Sequence, residues 1–477
     1  MNHRETKLYQ QVAQSIAEQI HQHIFEFGDK LPSLRQQSRK MQVSIATVQQ
    51  AYNLLEDWGL IEVKPQSGFF VKLANSAPVE LAEEWAEELT APTDISVSEL
   101  ATSLFKQSSR TDCINLATAY PHESFLPIAK IRKIINQLNR EQLGLMMRAE
   151  FAPGLLALRK QIARRMNDQG CQSSPETLVI TNGCQEAISL SLRAVAKPGD
   201  TIAIESPTFV GILQVIEALG MKALEIPTHH REGISLTALE MALDQWPVKA
   251  LVIVPSFNNP LGSCLPLEKR KALMSILQAR DLPVIEDGLY DDLAHNGESV
   301  VPLKSFDSKG QVLYCSSISK SISPGLRIGW VCTGRYQKSV AFLKSFTSVG
   351  ESTMDSQIVA EFLAGGQYTR HIKTIQQAFA NQVQLFRGAI RHYFPPQTRI
   401  SEPAGGYILW IGLPEPVDAE ILYRNALDEG IFIVPGRLFS AHSKHHNFIR
   451  INCAVPWNDT TRNAIRRLGE MSYTRVK

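Results

Sequence analysis

In the stretch SISKSISPGLRIGW, residues 317–330, Lys320 stands three places after Ser317 and seven before Arg327. A lysine amine condenses with an aldehyde only when unprotonated, and a hydroxyl and a bidentate guanidinium nearby suit a phosphate. The spacing fits a lysine that holds an aldehyde cofactor with a phosphate tail, which is pyridoxal 5′-phosphate. Lys320 is then the Schiff-base residue, with Ser317 and Arg327 on the phosphate. VIEDGLY, residues 284–290, is an apolar run of strand type that ends in acidic residues. Asp287 is therefore expected at the carboxyl end of a strand, where open α/β sheets bind ligands. A carboxylate there keeps the cofactor's pyridine nitrogen protonated and makes the ring an electron sink. Tyr290 and Asn259, the latter in FNNPLG at 257–262, are placed to reach the ring hydroxyl. TNGCQEA at 181–187 follows a short apolar run and opens a helical pattern, so the backbone amides of Gly183, Cys184 and Gln185 face the phosphate at a helix N-terminus. Cys184, near that phosphate, reads as a small packing residue rather than a nucleophile.

The order of these segments resembles a fold type I aminotransferase from about residue 113 to the end. The resemblance implies that Phe209 of ESPTF stacks on the cofactor and that Arg450 of FIRIN binds the substrate's α-carboxylate. One position departs from the enzyme branch. Many of those relatives place a tyrosine five residues before the glycine of the segment matching FAPGLLALR (151–159), and here that place is Ala149, with Arg148 beside it.

The elements that must position these residues alternate β runs with helical stretches: TLVIT, TIAIE, ALVIVP, PVIED, VLYCSS and RIGWVCT. Such alternation predicts an α/β fold with a mostly parallel sheet and helices on both faces. The large subdomain is expected over about 145–366, and a small one over about 367–477 carries Arg450.

Residues 1–73 read as a separate module. Leu8, Tyr9, Val12, Ile16, Ile20 and Ile24 recur at helical spacing, and the pattern stops at Gly28. A second helix follows Ser33 as cap, and a third follows Ser44. GLIEVKPQSGFFV (59–71) closes the unit as two strands around a Pro-Gln-Ser-Gly turn. Three helices and a hairpin make a winged helix-turn-helix. Residues 8–71 resemble the DNA-binding domain of the GntR family, which implies DNA contacts from Arg35, Ser44, Thr47 and Gln49, with Gly68 letting the wing approach the minor groove. Ile45 and Gln49 stand where many relatives carry arginine. Eight Lys and Arg against seven Asp and Glu in 1–73 leave a weak basic footprint.

Between the modules, residues 74–112 are acidic and read as a linker, with a short solvated helix around Val79 to Leu89. The 477 residues carry a formal net charge of +2 and no apolar run near the roughly 20 residues that span a bilayer. The polar N-terminus shows no signal-peptide pattern, so the expectation is a cytoplasmic protein with no membrane partner. Seven cysteines, scattered singly, indicate neither a disulfide framework nor a metal site.

A helix-turn-helix followed by an aminotransferase resembles the MocR subfamily of GntR regulators. It implies a head-to-tail homodimer in which each winged helix lies over the other subunit's large domain. Its function would be PLP-dependent transcriptional regulation, in which the aminotransferase-like domain senses an amino compound through aldimine exchange and alters binding to a double-stranded DNA operator. The alternative is an active aminotransferase with an appended DNA-binding domain. A third reading, a dead fold kept as a dimerisation platform, is opposed by the intact Lys320.

Overall fold

The computed structural model describes residues 8–21, 24–25, 28–58, 60–64, 67–72, 89–107, 110 and 112–473. The N-terminal head consists of α1 (Leu8–His21), α2 (Leu34–Met41), α3 (Ile45–Asp57), β1 (Ile61–Lys64) and β2 (Gly68–Val71). Ser33 starts α2 with a reciprocal capping box: its hydroxyl accepts from Gln36 N at 3.3 Å, and Gln36 Oε1 accepts from Ser33 N at 2.9 Å. Ser44 starts α3 by accepting from Thr47 N at 3.0 Å. The head has its own core, in which Val12 and Ile16 of α1 meet Val48, Tyr52 and Leu55 of α3. Tyr52 sits edge-on to Phe69 at 4.8 Å and donates its buried hydroxyl to Pro32 O at 2.8 Å. Residues 29–31 zip onto the hairpin, Leu31 N donating to Phe69 O and Val71 N to Asp29 O.

Two details differ from the sequence reading. Ile24 lies beyond the end of α1 and is 61% exposed, so its helical spacing is not used. Pro65 and Gln66 of the wing turn lie outside the described residues.

The linker expected over 74–112 is shorter than its acidity suggested. Its stretch 73–88, with most of the expected solvated helix, lies outside the described residues. Thr93, however, bridges Ala223, and α4 (Ser98–Gln107) buries Ala101 and Leu104 in the main core beside Ile95 and Val97. Glu217 accepts from Val97 N, Ser98 N and the Ser98 hydroxyl. Few apolar residues at helical spacing sufficed to dock this segment, and the neighbouring glutamates masked them.

β3 (Ile114–Asn115) follows, and then the large sheet: β4 (Leu178–Asn182), β5 (Thr201–Ser206), β6 (Lys222–His229), β7 (Gly233–Ile234), β8 (Val248–Ile253), β9 (Val284–Asp287), β10 (Val312–Ser317) and β11 (Ile328–Cys332). The eight strands run in the order β4-β11-β10-β9-β8-β5-β6-β7. β10, β9, β8, β5 and β6 are parallel to their neighbours in that run, whereas β11 is antiparallel to both β10 and β4. Every residue of β5 and β10 is buried, as expected for strands covered on both faces, so these segments read as continuous apolar runs.

The small subdomain opens with the long helix Gln367–Tyr393 and holds β12 (Arg399–Ile400), β13 (Ile408–Gly412), β14 (Ile431–Phe432), β15 (Val434–Pro435) and β16 (Phe448–Asn452). An antiparallel sheet runs β12-β13-β16-β15, and β14 pairs in parallel with the distant β3. The helix Asp459–Ser472 closes the fold against the long helix.

Candidate functional site

The parallel strands end on one side, and the residues singled out by sequence gather there. Lys320 follows β10 in a tight coil in which Ile322 N returns to Ile318 O at 2.8 Å. The coil turns Lys320 inward, leaving it 7% exposed, with Nζ donating to Ala119 O at 2.5 Å and lying 4.2 Å from the centre of the Tyr120 ring. Burial, then the nearby Arg450 cation, lower its pKa to about 7, against an opposing pull from Asp287. A large neutral fraction near pH 7 is what an attacking amine needs.

Asp287 ends β9, buried, its Oδ1 accepting from Leu289 N at 3.1 Å and from the Cys184 thiol at 3.3 Å. Burial raises its pKa to about 6. The Cys184 side chain thus faces Asp287 and not the phosphate end of the pocket. Burial pushes the thiol well above its ordinary range, which suits packing and not nucleophilic attack. Tyr290 is buried three residues beyond Asp287, edge-on to Tyr407 at 5.7 Å, and burial also pushes its phenol up.

At the other end of the pocket, Gly183 caps the helix Cys184–Val195 with φ 78°, a conformation that favours glycine. A Cβ there would overlap the Arg327 guanidinium. Arg327 itself has φ 52°, and its Nη2 donates to Asn182 O at 3.1 Å while Nη1 lies 3.5 Å from Ser319 Oγ. Ser317 Oγ accepts from Ser319 N at 3.2 Å. The helix's first amides, the guanidinium and the two hydroxyls form a cup of donors matched to a phosphate. Ser319 was not singled out by sequence, although its place between Ser317 and Lys320 was a usable signal. The Gln185 side chain is engaged with Gly211 O at 2.6 Å, so only its backbone faces the cup. Phe209, half-buried, lines the same pocket beside Asn259. Asn259 is 4% exposed, and its side-chain oxygen has no partner among the described residues.

Arg450 lies on β16, 5% exposed; its Nη2 donates to Ala117 O, while Nε and Nη1 are buried without partners among the described residues. Burial lowers its pKa to about 10. The carbonyls of 117–120 form a strap over the pocket. Asn452 Nδ2 donates to Thr118 O at 2.7 Å and Tyr120 O at 2.9 Å, and Tyr407 donates to Ala119 O at 3.0 Å. Asn452, Tyr407 and Tyr120 were missed by sequence. Asn452 was legible, since residues two apart on a strand share a face with Arg450.

On the head, Arg35 and Ser44 are exposed, while Thr47, Gln49 and Gly68 are half-buried. The Ser44 hydroxyl lies 2.8 Å from Thr47 Oγ1, and Gln49 Nε2 donates to Asn53 at 2.9 Å. Gly68 has φ 107°, and a Cβ on it would lie 3.3 Å from Lys30 Cε. Ile45 is 48% exposed on the first turn of α3.

The family of class I and II aminotransferases matches residues 111–468, and the gntR family of bacterial regulatory proteins matches residues 8–71. The chain is 37% identical over 465 residues to the uncharacterized HTH-type transcriptional regulator YjiR of Escherichia coli, covering 98% of each protein. It is 28% identical over 371 residues to the 2-aminoadipate transaminase of Thermus thermophilus, covering 77% of this chain and 91% of that one. Among solved structures, the kynurenine aminotransferase of Pyrococcus horikoshii, in complex with PMP, superposes with a TM-score of 0.73 at 27% identity, over 78% of this chain and 94% of that one. LysN, an α-aminoadipate aminotransferase of Thermus thermophilus complexed with N-(5′-phosphopyridoxyl)-L-leucine, gives a TM-score of 0.71 at 25% identity, over 79% of this chain and 98% of that one.

Proposed function

The chain belongs to the class I and II aminotransferase family and bears a gntR-family head on the same polypeptide, and from that premise we propose a transcriptional regulator that senses an amino compound through pyridoxal phosphate and answers at a double-stranded DNA operator. The cofactor is pyridoxal 5′-phosphate. Bound, it supplies an aldehyde for primary amines and a ring that withdraws electrons.

The chain's own residues divide the work. Gly183, Cys184 and Gln185 offer backbone amides to the phosphate, with Ser317, Ser319 and Arg327 beside them. Asp287 would keep a proton on the ring nitrogen, Tyr290 and Asn259 would hold the ring oxygen, and Phe209 would pack on the ring. Lys320 presents a neutral amine and is the group positioned to carry a proton to and from substrate carbon. The observation that carries the reading is Arg450: two of its buried nitrogens lack partners among the described residues, beside a lysine whose charge it already perturbs. That is a place for a carboxylate, so the compound sensed is an amino acid or a close relative.

Arg35, Ser44, Thr47, Gln49 and Gly68 form the DNA side of the head in this reading. Self-association is supported by an apolar face in which Met147 is 74%, Phe151 63%, Phe342 69% and Phe346 57% exposed, and in this reading the pair is a head-to-tail homodimer. The two stretches of that face are tied together where Ala152 N donates to Val349 O. No helix among the described residues is long and apolar enough to cross a membrane, and a DNA-binding role puts the protein in the cytoplasm.

The second reading, a working aminotransferase, is favoured by the joint presence of Lys320, Asp287, Tyr290 and Arg450 in one pocket. Operator affinity measured with cofactor and a panel of amino acids, alongside steady-state transamination with a keto-acid acceptor, separates the two. Coupling of about 1–3 kcal/mol, roughly 5–150-fold in affinity, with slow or partial transamination is expected. Fast turnover with DNA affinity indifferent to every compound would reverse the ranking.

A further inference from the structure

A helix-turn-helix lays its second helix in the major groove and reads bases with the exposed side chains of that helix's first turns. In the head this helix is α3, whose buried side is Val48, Ala51, Tyr52 and Leu55. The rest of its surface presents Ile45, Ala46, Gln50 and Asn53, all exposed, and the half-buried Gln49. Ile45, Gln49 and Asn53 follow one another four residues apart and so form one line along the helix.

That surface carries no cation. Between Lys40 and Lys64 the chain has no lysine or arginine, and the charged residues of α3 are Glu56 and Asp57, exposed in its last turn. Arg35, Arg39 and Lys40 are exposed instead on α2, the helix that crosses the sugar-phosphate backbone in this motif. Charge is therefore placed to position the head on phosphates, which carry no sequence information, and is kept away from the base edges. Phosphate repels Glu56 and Asp57, which confines entry into the groove to the first turns of α3.

The usual reader of guanine is an arginine or lysine that donates to O6 and N7, and α3 has neither. Adenine is read by an amide that accepts from N6 and donates to N7, and thymine by apolar contact with its methyl group. Ser44 and Thr47 turn their hydroxyls to each other at the cap. Gln49 Nε2 donates to Asn53 Oδ1 at 2.9 Å. This bond holds the two amides side by side and leaves the Gln49 oxygen to accept and the Asn53 nitrogen to donate, the complement of adenine's edge. One turn before them, Ile45 is 48% exposed. A lone exposed isoleucine is ordinary, but this one stands in line with a pair of amides matched to adenine.

We propose that α3 is a reader of A·T pairs, in which Gln49 and Asn53 together take an adenine edge and Ile45 takes the methyl group of a thymine beside it. This rests on the reading of the head as the DNA side of the chain and names the bases it selects.

The test uses the full chain with pyridoxal phosphate bound to select duplexes from a random library. Each thymine of the enriched site is then replaced in turn by deoxyuridine, which lacks only the methyl group, and each adenine by 7-deazaadenine, which lacks the N7 acceptor. Both changes leave the protein untouched. One deoxyuridine in each half-site should weaken binding about fourfold, the worth of a buried methyl group, and should cost Ile45→Ala less than about twofold. One 7-deazaadenine should weaken binding about fivefold and should cost Gln49→Ala less than about twofold. Half-sites without a fixed A·T pair, indifference of the native chain to either replacement at every position, or full sensitivity in Ile45→Ala and Gln49→Ala would overturn the assignment and leave the head a DNA reader. A chain that enriches no sequence would overturn both.

Discussion

Gly183 and Arg327 face each other so closely that the glycine's hydrogen is where a methyl group would strike the guanidinium. Both have positive φ, 78° and 52°, which costs a glycine little and an arginine more, and they leave each other no room. Gly183→Ala combines unfavourable φ with displacement of Arg327, at a cost of about 1–3 kcal/mol. Cofactor affinity, measured by titrating the visible absorption of the bound cofactor, should fall at least about tenfold. An affinity within twofold of the native chain's would mean that the phosphate sits elsewhere.

Lys320→Ala should abolish the visible band and the borohydride-reducible cofactor attachment. The pH dependence of attachment follows from the amine's lowered pKa. Its protonated form dominates below about pH 7 and its neutral form above it, and only the neutral form attacks. The rate at which cofactor-free chain takes up pyridoxal phosphate should therefore climb about tenfold per pH unit below pH 7 and flatten above. A climb that continues to pH 10 would show an ordinary, unshifted lysine at work.

Asp287→Ala removes the carboxylate expected to hold the ring nitrogen, and it leaves the Leu289 amide and the Cys184 thiol without their acceptor. Weaker cofactor binding and at least a tenfold slower reaction with amino acids, read by stopped-flow absorbance, are expected. The ring-nitrogen assignment fails if the rate stays the same.

Ser44→Ala deletes the α3 cap and should destabilise the head by about 1 kcal/mol, whereas Arg35→Ala should leave its melting unchanged. On duplex DNA, Arg35→Ala should weaken binding and lower the salt slope by about one unit if its contact is to phosphate. The visible spectrum should be the same in both variants. Native salt dependence in Arg35→Ala would move the DNA surface away from α2.

What the sequence disclosed followed from where physics is local. Ser33 and Ser44 were readable as caps because a cap is a short-range bond. Asp287 was readable because a buried parallel strand is an apolar run whose carboxyl end is marked by acidic residues, and Lys320 because of its spacing from Ser317 and Arg327. β6 escaped the list of strands because Lys222, Glu225 and Pro227 break its run, and Glu225 is tolerated through distant bonds to Ser206 and the Ala441 amide and an ion pair with Lys444. The strap's contacts escaped for a different reason: Ala117 and Ala119 act through carbonyls, which no side-chain pattern reveals. Residues 93–107 were misjudged because composition was averaged over a stretch whose halves behave differently.

The pairing of Ile114 with Ile431 and of Asn115 with Phe432 joins positions more than three hundred residues apart. As the chain leaves the ribosome, the head's core is complete within its first seventy-odd residues, while β3 must wait for nearly the whole of the rest. Contacts of such sequence separation form late. A nascent or truncated chain ending before β14 would thus carry a finished DNA reader with no sensor attached to govern it, so premature termination in this protein should yield ungoverned DNA binders rather than inert fragments.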